Sequence, residues 1–298
     1  MSRAPALERF DAAADAAANQ VIGVYSTSFG LATRLLGRRH RQHVRNIYAM
    51  VRVADEIVDG VAAQAGLAPT AQGEALDAYE SSTVAAMRAG YSSDVVLHAF
   101  ARTSRAAGFG EELTAPFFAS MRTDLAAAGG DGARLCFDAA AHEAYVYGSA
   151  EVVGLMCLAV FVRDEHVPPA RLEALTRGAR SLGAAFQNIN FLRDLADDTT
   201  RLGRSYLAAD GRLTPADHAR WVTTVRAQLA AAGEAIPLLP RDARTAVRSA
   251  HALFGALTDR LERAGVDELY RTRVRVAHPR KLALTAGAAL RTAVEVPR

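Results

Sequence analysis

The sequence predicts an all-α fold in a single domain, and three observations lead to that prediction. Half of the 298 residues are apolar, and the helix formers Ala, Leu, Arg and Glu dominate many windows. Alternating runs of β-branched residues bounded by hairpin turns are absent from the sequence. Apolar residues instead recur at the period of a helix, for example at Val44, Ile47, Val51, Ala54 and Val58. No flexible linker or repeat divides residues 1–298, so we expect one domain.

Glycine and proline clusters divide the chain into helical segments. Pro169 and Pro215 are suited to the first turn of a helix, where the missing N–H would have no partner in any case. Connections are predicted near residues 60–69, 90–93, 107–110, 129–132, 167–169, 199–215 and 236–240. The connection at 199–215 is the longest. It is either a plain surface connection or a functional loop, since long loops in compact domains are often functional.

Charge and cysteine content exclude several classes of protein. The net charge is only +3, and we expect no nucleic-acid partner. Cys136 and Cys157 lie in apolar surroundings without a spaced framework, which indicates free thiols in a reducing compartment. The longest uninterrupted apolar stretch, 152–162, is shorter than the ~20 residues of a spanning helix, and residues 1–19 do not resemble a signal peptide. We therefore expect a cytoplasmic protein that does not cross a membrane.

The clearest chemical signal is a pair of carboxylates, Asp55 and Asp59. Because they are four residues apart, a helix places them on one face, where like charges repel by a few tenths of a kcal/mol unless a cation bridges them. Tyr48 and Arg52 lie on the same side of the predicted apolar stripe. A single pair of this kind is more often an ordinary acidic edge in contact with solvent.

A second pair, Asp194 and Asp198, repeats the same spacing. Gln187, Asn190 and Phe191 precede it on the same predicted helix face. Amides and a phenylalanine are unlike the Glu, Lys and Arg that usually cover a solvent-facing helix. Two such pairs on separate helices favour a binding site over two unrelated acidic edges.

Paired carboxylates of this kind suit hard divalent cations. Magnesium takes oxygen ligands and is typically shared between carboxylates and substrate phosphates. A diphosphate bound in this way becomes a good leaving group, and Arg52 and Arg193 could contact it as bidentate donors. Its departure from an allylic carbon leaves a carbocation, which requires a dry, apolar cavity. The residues therefore predict a site that ionises an allylic diphosphate.

The segments that carry these residues closely resemble the squalene/phytoene synthase family. The similar segments follow the family's order from about residue 25 to residue 284. They are 25–30, 46–49, 52–59, 145–156, 183–194 with the trailing Asp198, 203–207, 273–276 and 279–282. The resemblance implies a single-domain helical bundle of the isoprenoid-synthase type around a central cavity. It also implies the head-to-head joining of two prenyl diphosphates through a cyclopropylcarbinyl diphosphate.

The resemblance implies a role for each candidate residue. The metal ligands would be Asp55, Asp59, Asp194 and Asp198. Substrate would be held by Arg52, Arg193, Ser26, Ser28 and Phe29, the last as part of the prenyl pocket. The reacting centre would be lined by Tyr48, Tyr145, Gln187, Asn190 and Tyr206. The implied cofactor is magnesium, with manganese as a substitute, and NADPH is implied only for a squalene-forming member.

Two positions depart from the family's pattern. Glu151 stands where many members have glycine, and it would add a carboxylate close to the predicted cavity. Glu56 stands where aspartate is common, which matters little because glutamate also binds magnesium.

Several functions stay open at this point. The chain most resembles bacterial phytoene synthases, which join two C20 geranylgeranyl diphosphates. The alternative is a squalene or dehydrosqualene synthase that uses C15 farnesyl diphosphate. A class I terpene cyclase is disfavoured because Asp194 occupies the centre of the second motif, where cyclases carry Ser or Thr. A non-catalytic helical scaffold would leave both acidic pairs unexplained.

The basic stretch from Arg271 to Arg291 has two interpretations. It is either a final packing helix or a surface for peripheral contact with anionic lipid. No feature of the sequence indicates an oligomeric state.

Overall fold

The computed structural model describes residues 5–128, 135–200, 204–207 and 212–295, without the side chains of residues 27, 28, 126–128, 135, 136, 200 and 204. The helices are α1 (Ala6–Tyr25), α2 (Thr27–Arg34), α3 (Arg38–Val58), α4 (Val61–Gln64), α5 (Pro69–Ala89), α6 (Val95–Ala107), α7 (Glu111–Ala128), α8 (Ala139–Val146), α9 (Val152–Val162), α10 (Pro169–Arg193), α11 (Leu195–Thr200), α12 (Pro215–Ala235), α13 (Arg241–Arg263), α14 (Val266–Leu269) and α15 (His278–Val294). A π-helical turn, Tyr147–Glu151, joins α8 to α9, and a 3₁₀ turn, Ile236–Leu238, follows α12. The predicted all-α fold is confirmed.

Strand structure in the described part of the chain is confined to one short parallel pairing. Strand β1 (Leu135–Cys136) pairs with strand β2 (Arg204–Ser205). This pairing fixes part of the long connection after α11, although residues 201–203 and 208–211 of that connection lie outside the described residues, as does the connection predicted at 129–132.

Several helix boundaries lie at the predicted connections between helical segments. Helices α5 and α6 end at Gly90 and Gly108, whose φ angles of 74° and 71° are left-handed and therefore favour glycine. Asp94 caps the start of α6 by accepting hydrogen bonds from two backbone N–H groups. Helix α12 starts with a capping box, in which the side chains of Thr214 and Asp217 each accept a hydrogen bond from the backbone N–H of the other residue.

Two apolar clusters form the core. The first contains the buried faces of α3, α5, α6, α7 and α9, with Met50, Phe100 and Met156 fully enclosed. The second lies among α10, α12 and α13 and includes Ile189 and Leu261. The segment from α8 through the π-helical turn to α9 contacts both α7 and α10 and so lies between the two clusters.

One continuous helical stretch, Ala139–Val162, is long and apolar enough to cross a bilayer. Its 24 residues exceed the 11 of α9 because the helix continues through Glu151, which the sequence-based estimate treated as an interruption. Half of its most apolar window is buried inside the protein, where Val152 and Val160 are enclosed. Core helices of soluble proteins have the same length and composition, so this stretch is weak evidence for a membrane span.

The π-helical turn depends on a close approach between two helices. A Cβ at Gly148 would lie 2.2 Å from the Pro116 carbonyl oxygen of α7 and 2.2 Å from the Ser120 Oγ. Beside this contact, the Ser120 hydroxyl donates a hydrogen bond to the Tyr145 carbonyl at 3.1 Å. The extra residue of a π-helical turn shifts the side chains that precede it relative to those that follow, and such turns occur often at functional sites.

A partly buried histidine on α3 is expected to make folding stability depend on pH. Desolvation, followed by repulsion from Arg163, lowers the pKa of His43 to about 4, and its Nδ1 lies 3.0 Å from the Thr103 hydroxyl. As the pH falls, the His43 imidazole of the unfolded chain therefore takes up a proton near pH 6.5, whereas that of the folded chain takes one up only near pH 4. Stability is complete above that pH and decreases as the pH falls from about 6.5 towards 4.

We predict that His43→Gln flattens this dependence. Between pH 7.5 and pH 5 the wild-type free energy of unfolding should fall by roughly 1–2 kcal/mol more than that of the variant. Urea unfolding at both pH values measures the difference. Equal pH dependence in the two proteins would show that His43 titrates normally in the folded state.

Candidate active site

The first acidic pair lies at the carboxyl end of α3. The Asp55 carboxylate accepts a hydrogen bond from Arg52 at 2.6 Å, and Glu56 forms an ion pair with the same guanidinium. Asp59 follows the last residue of α3, and its N–H donates to the Asp55 carbonyl at 2.8 Å, so the predicted one-turn spacing is present.

Negative charge is concentrated at this pair. Desolvation, followed by repulsion from Asp59, raises the pKa of Asp55 to about 8. Because 31% of the Asp55 side chain is exposed, water screens part of this repulsion. Bound positive charge would relieve the repulsion and restore the ionised carboxylate.

The second pair lies where α10 ends. The predicted continuous helix is interrupted, because Asp194 follows α10 and precedes α11. The i,i+4 relationship survives, since the Asp198 N–H donates to the Asp194 carbonyl at 2.9 Å. Arg193 contacts the Asp194 carboxylate through two nitrogens at 2.9 and 2.5 Å, and Arg273 contacts it at 2.6 Å. Arg273 was not among the predicted site residues.

The donor set at this second pair fits a hard cation. The Asn190 side-chain oxygen, one turn before Asp194, is buried and has no hydrogen-bond partner. An amide oxygen and carboxylate oxygens are ligands that magnesium accepts. Within the described residues, no three His, Cys, Asp or Glu side chains are grouped closely enough to hold a metal ion. A cation here would therefore take part of its coordination from water or from the phosphates of a substrate.

An aromatic wall, formed by Tyr145, Phe191 and Tyr206, lies beside the second acidic pair and contacts a buried carboxylate that the prediction missed. The hydroxyls of Tyr145 and Tyr206 each donate to Asp124 of α7, at 2.7 Å to separate carboxylate oxygens. The Tyr206 ring stacks on Phe191, with 4.1 Å between the centroids, and Phe191 lies three residues before Asp194. At the other end, the charge of Asp124 acts on Asp55.

A second group of aromatic rings lies between α2, α3 and α10. The Phe29 ring centroid lies 6.2 Å from that of Tyr48 and 6.0 Å from that of Phe186. Ser26 caps α2 by accepting a hydrogen bond from the Phe29 N–H at 3.1 Å, and its hydroxyl also interacts with the Tyr48 phenol. The structure thus brings Ser26, Phe29 and Tyr48 together, and the roles that the family resemblance implies for them stay predictions. The Ser28 side chain lies outside the described residues.

Gln187 lies half-buried on α10, three residues before Asn190. Its side chain belongs to the same helix as the second acidic pair, and the role that the family resemblance implies for it stays a prediction.

Glu151 does not leave a free charge near the predicted cavity. Its carboxylate accepts a hydrogen bond from Arg180 of α10 at 2.6 Å, and the Arg180 guanidinium lies 5.3 Å from the Tyr147 ring centroid. The departure from the family's glycine is therefore compensated by a cation on the neighbouring helix.

A cleft of about 690 Å³ opens beside the second acidic pair. Its lining includes one glutamate and several arginines, namely Arg260, Arg263, Glu268, Arg273, Arg275 and Arg280. Arg273 belongs both to this cleft and to the ion pair with Asp194. A cleft rich in arginine raises the local concentration of anions such as phosphates.

Comparisons with known proteins place the chain in one family. The family model for squalene/phytoene synthases matches residues 22–213. A phytoene synthase from Arthrospira platensis is 30% identical over 271 residues, which cover 83% of this chain and 84% of that protein. A chloroplastic phytoene synthase from Zea mays is 30% identical over 299 residues, which cover 92% of this chain and 65% of that protein.

Solved structures share the fold. A dehydrosqualene synthase in complex with a ligand is similar with a TM-score of 0.74 at 22% identity, covering 96% of this chain and 99% of that one. A squalene synthase from Alicyclobacillus acidocaldarius is similar with a TM-score of 0.69 at 18% identity, covering 85% of this chain and 94% of that one. Since the family model covers more than half of the chain and the Arthrospira protein matches most of both sequences, this protein belongs to the squalene/phytoene synthase family of prenyltransferases.

Proposed function

We propose that this prenyltransferase joins two C20 geranylgeranyl diphosphates into phytoene, through a cyclopropylcarbinyl diphosphate and with release of diphosphate. The observation that carries the proposal is the placement of two acidic pairs at helix ends, with the aromatic wall of Tyr145, Phe191 and Tyr206 beside the second pair. The choice of a C20 substrate is supported by relatives named phytoene synthase that are about 30% identical to this chain.

Charged side chains at the helix ends account for substrate binding. Magnesium ions would be held by Asp55 and Asp59 at the end of α3, and by Asn190, Asp194 and Asp198 where α10 ends. When bound, such ions stabilise the negative charge that develops on a departing diphosphate.

The arginines are already placed beside these carboxylates. Arg52 pairs with Asp55, and Arg193 and Arg273 pair with Asp194. Because each guanidinium can exchange a carboxylate for a phosphate of the same bidentate geometry, the arginines would turn to the diphosphate as cations take their place.

The aromatic side chains account for the fate of the carbocation. The clustered rings of Tyr145, Phe191 and Tyr206 would attract a cation through their π-electron density without capturing it by a covalent bond. Phe29 and Phe186 add an apolar surface on the side of α2, which suits a prenyl chain. Burial of Tyr145 and Tyr206, which are 5% and 6% exposed, would keep water from the reacting carbons.

The second candidate is a squalene or dehydrosqualene synthase that uses C15 farnesyl diphosphate. It is favoured by the structural neighbours named for those activities, although their identity to this chain is below 25%. A squalene-forming member would also require NADPH as a reductant, whereas phytoene formation ends with loss of a proton.

One incubation distinguishes these functions. The purified protein is supplied with C15 or C20 diphosphate, with and without magnesium and with and without NADPH, and the hydrocarbon is identified by mass spectrometry. Phytoene from the C20 substrate, formed only with magnesium and regardless of NADPH, is the expected result. A C30 product supports the second candidate, a cyclic product from one substrate indicates a terpene cyclase, and the absence of any product rejects all three.

A scaffold without catalytic activity is tested separately by thermal unfolding. Magnesium together with a diphosphate should raise the unfolding temperature of an enzyme that binds both in its folded state. A scaffold should show no such increase.

A further inference from the structure

Asp124 is a carboxylate enclosed in the core of the protein. It is 3% exposed and lies on α7, whose neighbouring buried residues Phe117 and Met121 are apolar. A charge in such a place is costly unless its lone pairs are satisfied by donors. Tyr145 and Tyr206 supply those donors, one to each carboxylate oxygen.

The two tyrosines approach Asp124 from distant parts of the chain. Tyr145 ends α8 just before the π-helical turn, and Tyr206 follows strand β2 in the connection after α11. Their ring centroids are 5.1 Å apart, and both rings contact Phe137, at 5.3 Å each. A single carboxylate thus fixes two phenols whose rings form most of the aromatic wall.

We propose that Asp124 is a positioning residue that holds Tyr145 and Tyr206 in the aromatic wall so that the electron-rich wall stabilises the carbocation. This inference rests on the proposed coupling reaction. A phenol that donates to a carboxylate gains electron density in its ring, and an electron-rich ring attracts a cation more strongly. Asp124 would therefore act through the rings, without touching substrate itself.

The substitution Asp124→Asn tests the inference with little change in volume. An asparagine has one acceptor oxygen, so only one of the two phenols keeps its hydrogen bond. We expect kcat to fall by about 100-fold while KM for the prenyl diphosphate changes by less than about threefold, because misplacement of a positioned group acts on the reaction step. Asp77→Asn, at an exposed carboxylate, is the control and should leave both constants unchanged.

A double-mutant cycle separates positioning from general loss of structure. If Asp124 acts through Tyr206, then Tyr206→Phe should reduce kcat strongly in the wild type and only slightly in the Asp124→Asn background. Effects that multiply in full would overturn the inference. Should Asp124→Asn fail to fold, the cycle between Tyr145→Phe and Tyr206→Phe replaces it, and independent effects of these two changes would again overturn the inference.

Ultraviolet difference absorption gives a measurement that does not depend on activity. A phenol that donates to a carboxylate absorbs at longer wavelength, so the spectrum of wild type minus Asp124→Asn should show a tyrosine band at the red edge. No difference band would overturn the inference. If the band is present and the wild type couples no prenyl diphosphate, the proposed function fails while the contact itself stands. An active wild type with an equally active Asp124→Asn variant rejects the positioning role alone.

A second inference concerns the outward face of α15 and does not depend on the reaction. Leu282, Leu290 and Val294 on this helix are 61%, 67% and 80% exposed. The other exposed positions between them are Arg291 and four alanines, namely Ala283, Ala286, Ala289 and Ala293. The opposite face packs on α13, where Thr285 hydrogen-bonds to Ser249 at 3.0 Å. We call the exposed apolar side the α15 outer face.

Positive charge borders the α15 outer face. Arg280 and Arg291 are exposed on the same helix, and Arg271 and Arg275 are exposed in the segment before it. An apolar helix face bordered by arginines matches the boundary between the acyl chains and the anionic headgroups of a bilayer. We infer that the α15 outer face docks on membranes that contain anionic lipid.

Vesicle flotation tests this docking. The protein should float with vesicles of phosphatidylcholine and phosphatidylglycerol at low salt, and less with phosphatidylcholine alone or at high salt. The double variant L282S/L290S should lose flotation, whereas L172S, at another exposed leucine on α10, should keep it. Absence of flotation, unchanged flotation of L282S/L290S, or a dimer that this variant dissociates without any vesicle binding would each overturn the inference.

Discussion

Asp194→Asn is expected to lower turnover by about 10³-fold or more while leaving the fold intact. The substitution keeps the size of the side chain and removes its negative charge. A cation shared between this carboxylate and a diphosphate would need that charge. Removal of a single preorganised stabilising group in an enzyme typically costs about 10²–10³-fold, and loss of a metal ligand also weakens cation binding. Asp55→Asn should have a comparable effect, because the same role is proposed for the pair at the end of α3.

The neighbouring Asp197 provides a matched control. It is an exposed aspartate on α11, three residues beyond Asp194, and it is not part of the i,i+4 pair. Asp197→Asn should therefore retain turnover close to that of the wild type. Turnover is measured at saturating substrate over a series of magnesium concentrations, and thermal unfolding confirms that each variant is folded.

A second measurement links the result to binding. Magnesium and an unreactive diphosphate together should raise the unfolding temperature of the wild type and of Asp197→Asn, but much less that of Asp194→Asn. Near-wild-type turnover in Asp194→Asn, or equal loss in both asparagine variants, would remove the metal role from this residue.

The parts of the site that the sequence predicted are those set by local geometry. Asp55 and Asp59 are related by one helical turn, and so are Asp194 and Asp198, so a helix prediction was enough to bring each pair together. The interruption between α10 and α11 escaped prediction because it accompanies contacts of the Asp194 carboxylate with arginines, one of them 79 residues away. Helix periodicity carries no information about such a partner.

The missed residues share this non-local character. Asp124 is 82 residues from Tyr206, and a lone aspartate between apolar positions of α7 looks like a solvent-facing residue unless its phase on the helix is considered. Its spacing from Phe117 and Met121 does place it on the buried stripe, and that was the available signal. Likewise, the partner of Glu151 lies 29 residues away on α10, so the sequence showed the added charge without its compensation.

Packing at the π-helical turn leads to the second large effect, a loss of stability in Gly148→Ala. The new methyl group would lie 2.2 Å from the Pro116 carbonyl oxygen, which belongs to the backbone of α7 and cannot rotate away. Either α7 or the turn must move. Overpacking of this kind typically costs about 1–3 kcal/mol, and more where backbone has to shift.

Gly73→Ala is the matched control, because it makes the same chemical change in a different environment. Gly73 lies within α5, and a Cβ there meets no atom within 4 Å. Without a clash, alanine should stabilise the protein by about 0.5–1 kcal/mol, because an unfolded chain with alanine has fewer backbone conformations to lose on folding than one with glycine. Urea unfolding should therefore shift in opposite directions for the two variants.

The same substitution should also affect catalysis in a specific way. Tyr145 lies three residues before Gly148, and its carbonyl accepts a hydrogen bond from the Ser120 hydroxyl. The oxygen of that hydroxyl is one of the atoms that the new methyl group would displace. A shift of the turn would therefore move the Tyr145 ring within the aromatic wall and lower kcat even at temperatures where Gly148→Ala remains folded. If Gly148→Ala were as stable and active as Gly73→Ala, then α7 and the π-helical turn would not be in the tight contact from which the position of Tyr145 follows.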